Sequence, residues 1–555
     1  MRLSWSAAGA GLGVVALALA LSLLPVWQAG RDTIVSYKRE QARARRKPLW
    51  QRFYLDIFLL LPVLYSLYAL RGQPNLPFLN RTAANPFEDP FFFLLPTLFI
   101  LALGLLLLRL FPSFLTVLEK GITFLPGIVP VLAFRQLARA GRSQMGPLML
   151  MVITLALAGF VASMAKTLDQ ALADAVYYET GADLNLVEGG EYTGESALPT
   201  TGGLASPSPP SGQNDPALWN FLPVAEHLTL PGVLAAARVG KYEASLEAGD
   251  QSASGQLIGV DRADFPNVAF FREDFASEPL VSLMNRLASD PAALLVDQAT
   301  WERLHLNTGD AVVLRMTFDQ PKEIAFKAVG VLNDFPTLDP ADSFFIANLE
   351  YIFEAFGGFL PYDVWLRTAP EADSGAIVRG IQEMRIAVIR AQDARAALAQ
   401  RLAAPSRQGM LGLLSIGFLA AALLSVVGFL LHALFSFQER FVQLGVLRAL
   451  GLTIRQMGFY LALEQLLLIL TGLCTGTGIA VLTAYLFIPR LPTGFAGGDL
   501  GRRLGALPAV VEIAWQPLGW MQVTFGTMLL VGIGFTLYGL VQRQVFQAVK
   551  LGENL

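Results

Sequence analysis

The charged residues best spaced for a function lie in a short segment, residues 438–456, between two long apolar stretches. Its apolar residues recur at helical three-to-four spacing: Phe437, Phe441, Leu444, Leu447, Leu450 and Ile454. Glu439, Arg440 and Arg448 fall largely on the other face. A helix of this kind lies at a membrane surface and turns its polar face toward a soluble partner. The pattern fits a mechanical lever between the membrane and that partner, and it fits equally a solvated helix that joins two spans.

Glu464 is a carboxylate well inside a late apolar stretch. A central acid costs a few kcal/mol to insert, so it should face the interior of a helix bundle or an aqueous path. A proton or cation relay would need several polar partners, and His432 is the only other ionisable group deep in the closing stretches. We therefore favour an acid near the inner boundary that snorkels or is hydrogen-bonded to a neighbouring helix.

Gly472 and Gly476, followed by Ala480, have the small-x-x-x-small spacing of closely packed membrane helices. This spacing predicts that one face of their helix lies close against another helix. Gly476-Thr477-Gly478 is not read as a nucleotide loop, because it lies inside an apolar stretch.

The sequence offers little for catalysis, cofactors or metals. Cys474 is the single cysteine, and the three histidines have no ligand-like spacing. The phosphate-loop, His-Glu-x-x-His and Gly-x-Ser-x-Gly motifs do not occur. A membrane-tethered enzyme would have to use acids that share no catalytic spacing and suit turns equally well: Asp261, Asp264, Asp297 and Asp310. We therefore expect no enzymatic activity and no cofactor or metal held by this chain.

The composition is that of an integral membrane protein. Of 555 residues, 54% are hydrophobic and 15% charged, whereas soluble domains are about 25% charged. The net charge of −3 gives no reason to expect nucleic acid as a partner, and the basic residues cluster beside apolar stretches. The expected environment is a lipid bilayer.

Seven stretches are apolar and long enough to cross that bilayer as helices. They are residues 7–27, 53–70, 90–110, 147–165, 409–435, 457–488 and 518–541. Basic residues are concentrated in the segments between alternate spans, including 28–52 and 112–146. By the positive-inside rule the N-terminus is outside and the C-terminus cytoplasmic.

Residues 166–408 differ in composition and contain no stretch of span length. We predict a large extracytoplasmic α+β domain there, with a flexible Gly-, Ser- and Pro-rich insert at 193–216. Helices are predicted at 167–178 and 376–401. The predicted strands are 183–187, 233–239, 255–260, 293–296, 311–316, 324–331, 344–347 and 363–366.

This arrangement resembles the FtsX/MacB/LolC-type permeases of ABC transporters. The resemblance rests on several stretches. Residues 439–451 contain Glu-Arg and Leu-Gly-Val-Leu-Arg-Ala-Leu-Gly, and Glu464 with Gly472 and Gly476 lies in the helix that follows. The others are residues 133–139, residues 306–314 with 329–331, and the tail 549–553. The resemblance covers residues 130–555. It implies a MacB-like extracytoplasmic domain and an FtsX-like permease domain at 409–555, in the plasma membrane of a bacterium.

The resemblance implies mechanical work and assigns ATP to a partner. A cytoplasmic ABC ATPase dimer would bind ATP, and segment 438–456 would pass its movement to the flanking helices. Contacts with the ATPase are expected at Glu439, Arg440 and Arg448, with Gly445 and Gly451 allowing close approach of the backbone or ending the helix. The work would be export or extraction of a lipophilic, lipoprotein or peptide substrate. The alternative is a non-transporting signalling or scaffold partner of an ATPase that regulates cell-envelope enzymes or a sensor kinase.

Many such permeases carry two modules in one chain, and residues 53–70 and 90–110 look like the helices that link them. Residues 7–27 would then be the last helix of a first module whose other parts are missing. Since an ATPase dimer needs two coupling helices, we expect that a second permease half supplies the other, that two copies of this chain pair, or that the chain is a fragment.

Overall fold

The computed structural model describes residues 49–72, 90–122, 145–192, 219–249, 251–317, 321–339, 342–439, 453–490 and 510–552. The predicted first span at 7–27, the insert at 193–216 and residues 440–452 of the predicted lever lie outside the described residues.

Helices form both the membrane part and the connections of a mixed sheet. In chain order they are α1 (Leu49–Arg52), α2 (Leu55–Gly72), α3 (Pro90–Ile122), α4 (Met145–Thr180), α5 (Phe265–Val268), α6 (Leu280–Ser289), α7 (Gln298–Arg303), α8 (Leu349–Phe356), α9 (Ser374–Glu383), α10 (Ala394–Leu402), α11 (Pro405–Glu439), α12 (Ile454–Phe487) and α13 (Trp515–Gly552). Short 3-10 helices are present at Val224–Thr229, Glu273–Phe275 and Ile488–Arg490.

The strands all lie between α4 and α10. They are β1 (Leu184–Gly189), β2 (Glu191–Tyr192), β3 (Trp219–Asn220), β4 (Val233–Ala248), β5 (Gln251–Val260), β6 (Ala293–Asp297), β7 (Ala311–Thr317), β8 (Pro321–Leu332), β9 (Ser343–Asn348), β10 (Asp363–Thr368) and β11 (Ala387–Asp393). We call the described part of residues 184–402 the sheet domain.

Five helices of the described chain are long and apolar enough to cross a membrane. Their candidate spans are Leu95–Phe114, Met145–Thr180, Ser415–Phe435, Arg455–Phe487 and Trp515–Phe535. In α2 the residues that could be assessed, Leu55–Tyr65, form an apolar helix shorter than a span. The count of seven spans therefore stays a prediction.

Several helices extend beyond the predicted apolar stretches. The span predicted to end at residue 110 continues through Pro112 to Ile122, and the last helix continues past residue 541 to Gly552. The prediction was made from apolar runs, but a helix can continue past the end of such a run. A proline inside a membrane helix is also tolerated where its neighbours satisfy the freed backbone groups.

An ion pair joins α2 to α3. Arg109 donates through Nη1 to both carboxylate oxygens of Asp56, at 3.1 and 3.0 Å, and Asp56 is fully buried. The Arg109 guanidinium also lies 4.3 Å from the centroid of the Tyr54 ring. Because a buried carboxylate needs a cation close by, this pair fixes how the two helices cross.

The membrane helices pack around α4. Its closest neighbour is α12, and the small residues of α12 meet α4 in register. A Cβ at Gly472 would lie against Met151, one at Gly476 would come within 2.9 Å of Leu155 Cβ, and one at Gly159 within 2.7 Å of Ala480 Cβ. Contacts advance by four residues along both helices, so α4 and α12 run parallel and touch through their backbones.

The sheet domain contains a closed ring of six strands and a three-stranded extension. The ring follows the order β4-β5-β9-β6-β8-β7 and closes because β7 also pairs with β4. From β4 the extension continues through β10 and β1 to β11. β4 belongs to both parts, since its first half pairs with β10 and its second half with β7.

Alternating side chains of the central strands fill two apolar clusters. Leu257, Phe345 and Leu366 lie in one cluster, and their neighbours Ile258, Ile346 and Trp365 in the other. Both faces of these strands are therefore buried, which explains their nearly continuous apolar sequences.

The predicted strands at 233–239, 255–260, 293–296, 311–316, 324–331, 344–347 and 363–366 are confirmed within β4 to β10. The single helix predicted over 376–401 is wrong, because α9, β11 and α10 divide that stretch. Arg385, just after α9, has a left-handed φ of 64°, and Val388 then pairs with Glu188 of β1. The β-branched residues that follow favour a strand once an edge is available.

The contact between α4 and α12 predicts that leucine destabilises the chain at one glycine of α12 and is tolerated at another. Gly476→Leu would place side-chain atoms in the space occupied by Leu155 and the Val152 carbonyl, whereas a Cβ at Gly478 has nothing within 4 Å. We expect Gly476→Leu to destabilise the chain by about 1–3 kcal/mol, the usual range for overpacking. Gly478→Leu should change stability by less than about 0.5 kcal/mol. Thermal unfolding of the detergent-solubilised chain measures both, and equal melting temperatures would contradict the packing.

Candidate functional site

The membrane bundle and the sheet domain are joined by one continuous helix. α4 has 36 residues, so it is about 54 Å long, against about 30 Å for the hydrocarbon core of a bilayer. Residues are buried along its whole length, from Leu148 near the start to Tyr178 near the end. The helix therefore has one end in the bundle and the other in the sheet domain.

Gly181 ends α4 against the core of the sheet domain. Its φ of +87° is in the left-handed region, and a Cβ there would collide with the Trp365 ring and come within 2.9 Å of Thr337 Cγ2. Two backbone amides also bind this turn: Phe270 N–H donates to Gly181 O at 2.8 Å, and Thr337 N–H to Tyr178 O at 2.6 Å. Glycine is required both for the turn and for the close approach.

Five residues form what we call the junction cluster: Asp174, Tyr178, Arg272, Asp274 and Phe275. Arg272 donates to Asp174 Oδ2 at 3.0 Å and to Asp274 Oδ1 at 2.8 Å. The guanidinium lies 5.4 Å from the Phe275 centroid, and the Tyr178 ring meets Phe275 edge-on at 5.6 Å. Phe275 is fully buried. The cluster fixes the last turns of α4 to the loops of the sheet domain by charge and by aromatic packing.

A second contact fastens α4 to the segment that leads into α13. The Thr167 hydroxyl donates to Glu512 O at 3.3 Å and accepts from Glu512 N–H at 3.1 Å. Lys166 Nζ lies 3.0 Å from Glu512 Oε2, but both side chains are substantially exposed, so this pair adds little. The buried hydroxyl of Thr167 therefore carries the contact.

The exit from the sheet domain lies beside its entry. Arg401, on α10, donates to Glu179 Oε2 of α4 at 2.8 Å, and α11 begins three residues after α10 ends. The sheet domain is thus attached to the membrane helices through α4 and α11 side by side.

Of the predicted coupling residues, only Glu439 belongs to the described part of the chain. It is the last residue of α11, whereas Arg440, Gly445, Arg448 and Gly451 are outside the described residues. The bounds 438–456 need correction, since 438–439 belong to α11 and 454–456 to α12. Thr453 starts α12 with a capping box, in which its hydroxyl accepts from Gln456 N–H and Gln456 Oε1 accepts from Thr453 N–H.

Glu464 is fully buried among the membrane helices. It lies ten residues into α12, or about 15 Å along the helix axis. Of the two alternatives expected for it, snorkelling to water does not fit this burial, and a hydrogen bond to a neighbouring helix stays a prediction. Gly472 and Gly476 lie on the face of α12 that touches α4.

Three of the four acids considered for catalysis accept structural hydrogen bonds, and the fourth precedes a helix. Asp261 accepts a bidentate pair from Arg238, Asp297 accepts from the amides of Thr300 and Phe344, and Asp310 accepts from Asn307 N–H. Asp264 occupies the position before α5. Within the described ranges no three His, Cys, Asp or Glu residues are grouped as metal ligands.

His227 is fully buried. Its Nε2 lies 2.6 Å from Glu188 Oε1, and its Nδ1 lies 3.2 Å from Val224 O. It ties the 3-10 helix Val224–Thr229 to β1.

Sequence reasoning missed the junction cluster. Gln170 and Asp174 lie one helical turn apart on α4 and are hydrogen-bonded at 2.9 Å. Polar residues at this spacing fit the helix predicted at 167–178 as a continuation of the preceding span, which is confirmed as the end of α4. Nothing local identifies Arg272 as their partner, because it lies 98 residues further along the chain.

Comparison with known families identifies the helices of the C-terminal part. A family model described as FtsX-like permease C-terminal matches residues 415–544, from α11 to α13. These residues therefore form an FtsX-like permease domain, which belongs to the transmembrane class of ABC transporter subunits. This class implies a cytoplasmic ABC ATPase as partner. No curated protein matches the chain.

Three solved structures are among those similar to the chain. The extracellular domain of the noncanonic ABC-type transporter YknZ from Gram-positive bacteria is 12% identical, with a TM-score of 0.23, over 30% of this chain and 87% of that one. The periplasmic region of MacB from Actinobacillus actinomycetemcomitans is 10% identical, with a TM-score of 0.25, over 41% and 95%. A domain of a putative permease protein from Porphyromonas gingivalis is 13% identical, with a TM-score of 0.22, over 38% and 84%. Scores this low do not establish a shared fold.

The contacts of the junction cluster predict that Arg272 contributes more to the stability of the folded chain than an ordinary surface arginine does. Arg272→Met leaves the largely buried Asp174 without its cation, and breaking a buried pair costs about 3–5 kcal/mol. We expect faster hydrogen exchange at the amides of Phe270 and Thr337 and a lower melting temperature. Adding Asp174→Asn should recover part of both effects. In the control, Arg286→Met breaks a pair with Glu278 that is 43% and 35% exposed, and should cost less than about 1 kcal/mol. Equal effects of the two arginine variants would exclude the proposed role.

Asp334 lies beside this cluster and predicts a pH effect. Burial, and then the charge of Asp274, raise the pKa of Asp334 above its ordinary value of 3.8. Because folding raises this pKa, the ionised carboxylate is less favourable in the folded state than in the unfolded state. Ionisation of Asp334 therefore lowers the free energy of unfolding as pH rises from 3.8 through the folded pKa. Asp334→Asn should therefore raise the melting temperature at pH 7.5, and the gain should shrink as pH falls toward 4. A gain that is constant with pH would contradict this assignment.

Proposed function

We propose that the chain is the permease subunit of an ABC transporter in the plasma membrane of a bacterium. It couples ATP hydrolysis by a separate cytoplasmic ATPase dimer to movement of the sheet domain on the extracytoplasmic side. The work is export or extraction of a lipophilic, lipoprotein or peptide substrate. The match of residues 415–544 to the FtsX-like permease family carries this proposal.

The packing of the described helices supports a mechanical route. Residues 440–453 join α11 to α12, α12 touches α4 through Gly472 and Gly476, and α4 ends in the junction cluster. Close-packed helices transmit displacement because their interdigitated side chains cannot slide freely. A push on the segment between α11 and α12 would then reach the sheet domain through α4 and α11.

In this proposal the partner holds the nucleotide. ATP is bound by the ATPase, and the chain itself carries neither a nucleotide nor a catalytic residue. One coupling segment per chain serves an ATPase dimer only if a second permease half, or a second copy of this chain, supplies the other. The C-terminus is cytoplasmic, in agreement with the basic residues near the end of α13.

Co-purification with the ATPase tests the proposal. The membrane-extracted chain is isolated by an affinity tag, and bound proteins are identified by mass spectrometry. We expect an ABC ATPase beside the wild type and its loss from the variant Arg440→Glu, Arg448→Glu, because charge reversal removes the contacts expected on the polar face of the segment.

The control carries the same change of charge on the same side of the membrane. Arg543→Glu, Lys550→Glu lies in the last turns of α13 and should keep the ATPase. If both variants lose it, the segment is not the specific contact. If an inserted, folded wild type brings down no ATPase, the permease function is refuted.

A further inference from the structure

A groove of about 790 Å³ opens on the sheet domain. One wall is formed by residues 221–228, the floor by residues 234–238 of β4, and the ends by residues 261–267 and by Phe359 with Tyr362. Pockets that hold small molecules have volumes of about 300–1,000 Å³ and mostly apolar linings. The size and composition of this groove lie within that range.

Exposed apolar side chains are concentrated there. Among the described residues of the sheet domain, five large apolar side chains are exposed: Leu228, Leu234, Val281, Phe359 and Ile389. Three of the five, Leu228, Leu234 and Phe359, line this groove and are 49%, 60% and 44% exposed. Since exposed apolar surface is unfavourable in water, its clustering around one concavity indicates a binding surface.

The groove walls are held in place from behind. Buried His227 is bound to Glu188 and to Val224 O. The Phe221 ring lies 4.5 Å from that of Tyr362, and Tyr242 donates to Pro361 O at 3.0 Å. A wall anchored in this way needs little ordering when a ligand binds, and so favours affinity.

Of the three charged residues that line the groove, Arg238 and Asp261 are bound to one another, and the exposed Asp264 adds a negative charge. Arg238 donates through Nε and Nη2 to the two oxygens of Asp261, at 2.7 and 2.8 Å, and through Nη2 to Glu350 at 2.6 Å. Although burial alone would lower it, these two carboxylates raise the pKa of Arg238 above its ordinary value. Burial also raises the pKa of Tyr362 to about 12, so its hydroxyl stays neutral. An anionic ligand would thus meet carboxylates and a guanidinium whose charge is already balanced.

We infer that this groove binds the aliphatic chain of an uncharged lipid, with the Leu228, Leu234 and Phe359 side chains closing over the chain. The paired Arg238 contributes shape but no free charge, and therefore selects against fatty acids and other anions. That such a lipid is cargo of the transporter rests on the proposed function, whereas binding itself does not.

Photo-crosslinking of the full chain in phosphatidylcholine nanodiscs tests the site. The probe is a monoacylglycerol with a diazirine in its chain, compared with the fatty acid that carries the same chain and diazirine. Labelled peptides are mapped by mass spectrometry. The neutral probe should label peptides that contain residues 221–234 and Phe359, and the acid should label them about tenfold less, corresponding to 1.4 kcal/mol. Labelling of the membrane helices in the same sample shows that both probes reach the protein.

Leu234→Glu and Val281→Glu form the matched pair of variants. Both side chains are 60% exposed, so neither charge disturbs the core, but only Leu234 lines the groove. Leu234→Glu should reduce groove labelling about tenfold, and Val281→Glu should leave it unchanged. Equal groove labelling by lipid and acid, equal effects of the two variants, or labelled membrane helices with an unlabelled groove would each overturn the inference. Because no ATPase is needed, groove labelling can succeed while co-purification fails, or the reverse.

Discussion

The structure depends on the uninterrupted backbone of α4. Inside a bilayer every N–H and C=O must be satisfied within the protein, and a helix satisfies them along its own length. α4 keeps this bonding beyond the bilayer until Gly181, where the chain turns against Trp365. Since no loop separates the bundle from the sheet domain along this path, the direction of α4 determines the position of the domain, and movement of one moves the other.

Close contact between backbones holds α4 in the bundle. Apolar side chains gain little by associating in lipid, so membrane helices rely on packing that small residues make possible. Gly159 on α4 and Gly476 and Ala480 on α12 provide such contact, and the buried hydroxyl of Thr167 adds a hydrogen-bonded one to the segment before α13. These contacts have a defined register, which a lipid-facing surface would lack.

The sequence predicts the elements of this fold better than their association. Seven strands of the sheet domain could be predicted because their apolar residues form short runs between turn residues, and the helices because their apolar runs are long. The strand β11 could not, since Ala387–Asp393 becomes a strand only by pairing with β1, some 200 residues earlier. The predicted lever is a different case, because its signal does not depend on a distant strand. Its periodicity is local, and the capping motif at Thr453 that bounds it on one side could have been read from Thr-x-x-Gln. The junction cluster depends on contacts between distant residues, for which one sequence gives no signal.

The groove and the junction lie against the same pair of strands. β4 contributes residues 234–238 to the groove, and in β10 the residue opposite Ala237 is Trp365, whose ring meets Gly181 at the end of α4. Because neighbouring strands are held by a ladder of hydrogen bonds, a displacement of β4 is transferred to β10 with little loss. A ligand that shifted the floor of the groove would therefore act on α4 through two strands, and a movement of α4 would act on the groove by the same path. If the ligand binds more tightly in one position of α4 than in the other, it must shift the equilibrium toward that position. The factor by which the equilibrium constant changes equals the ratio of the two affinities.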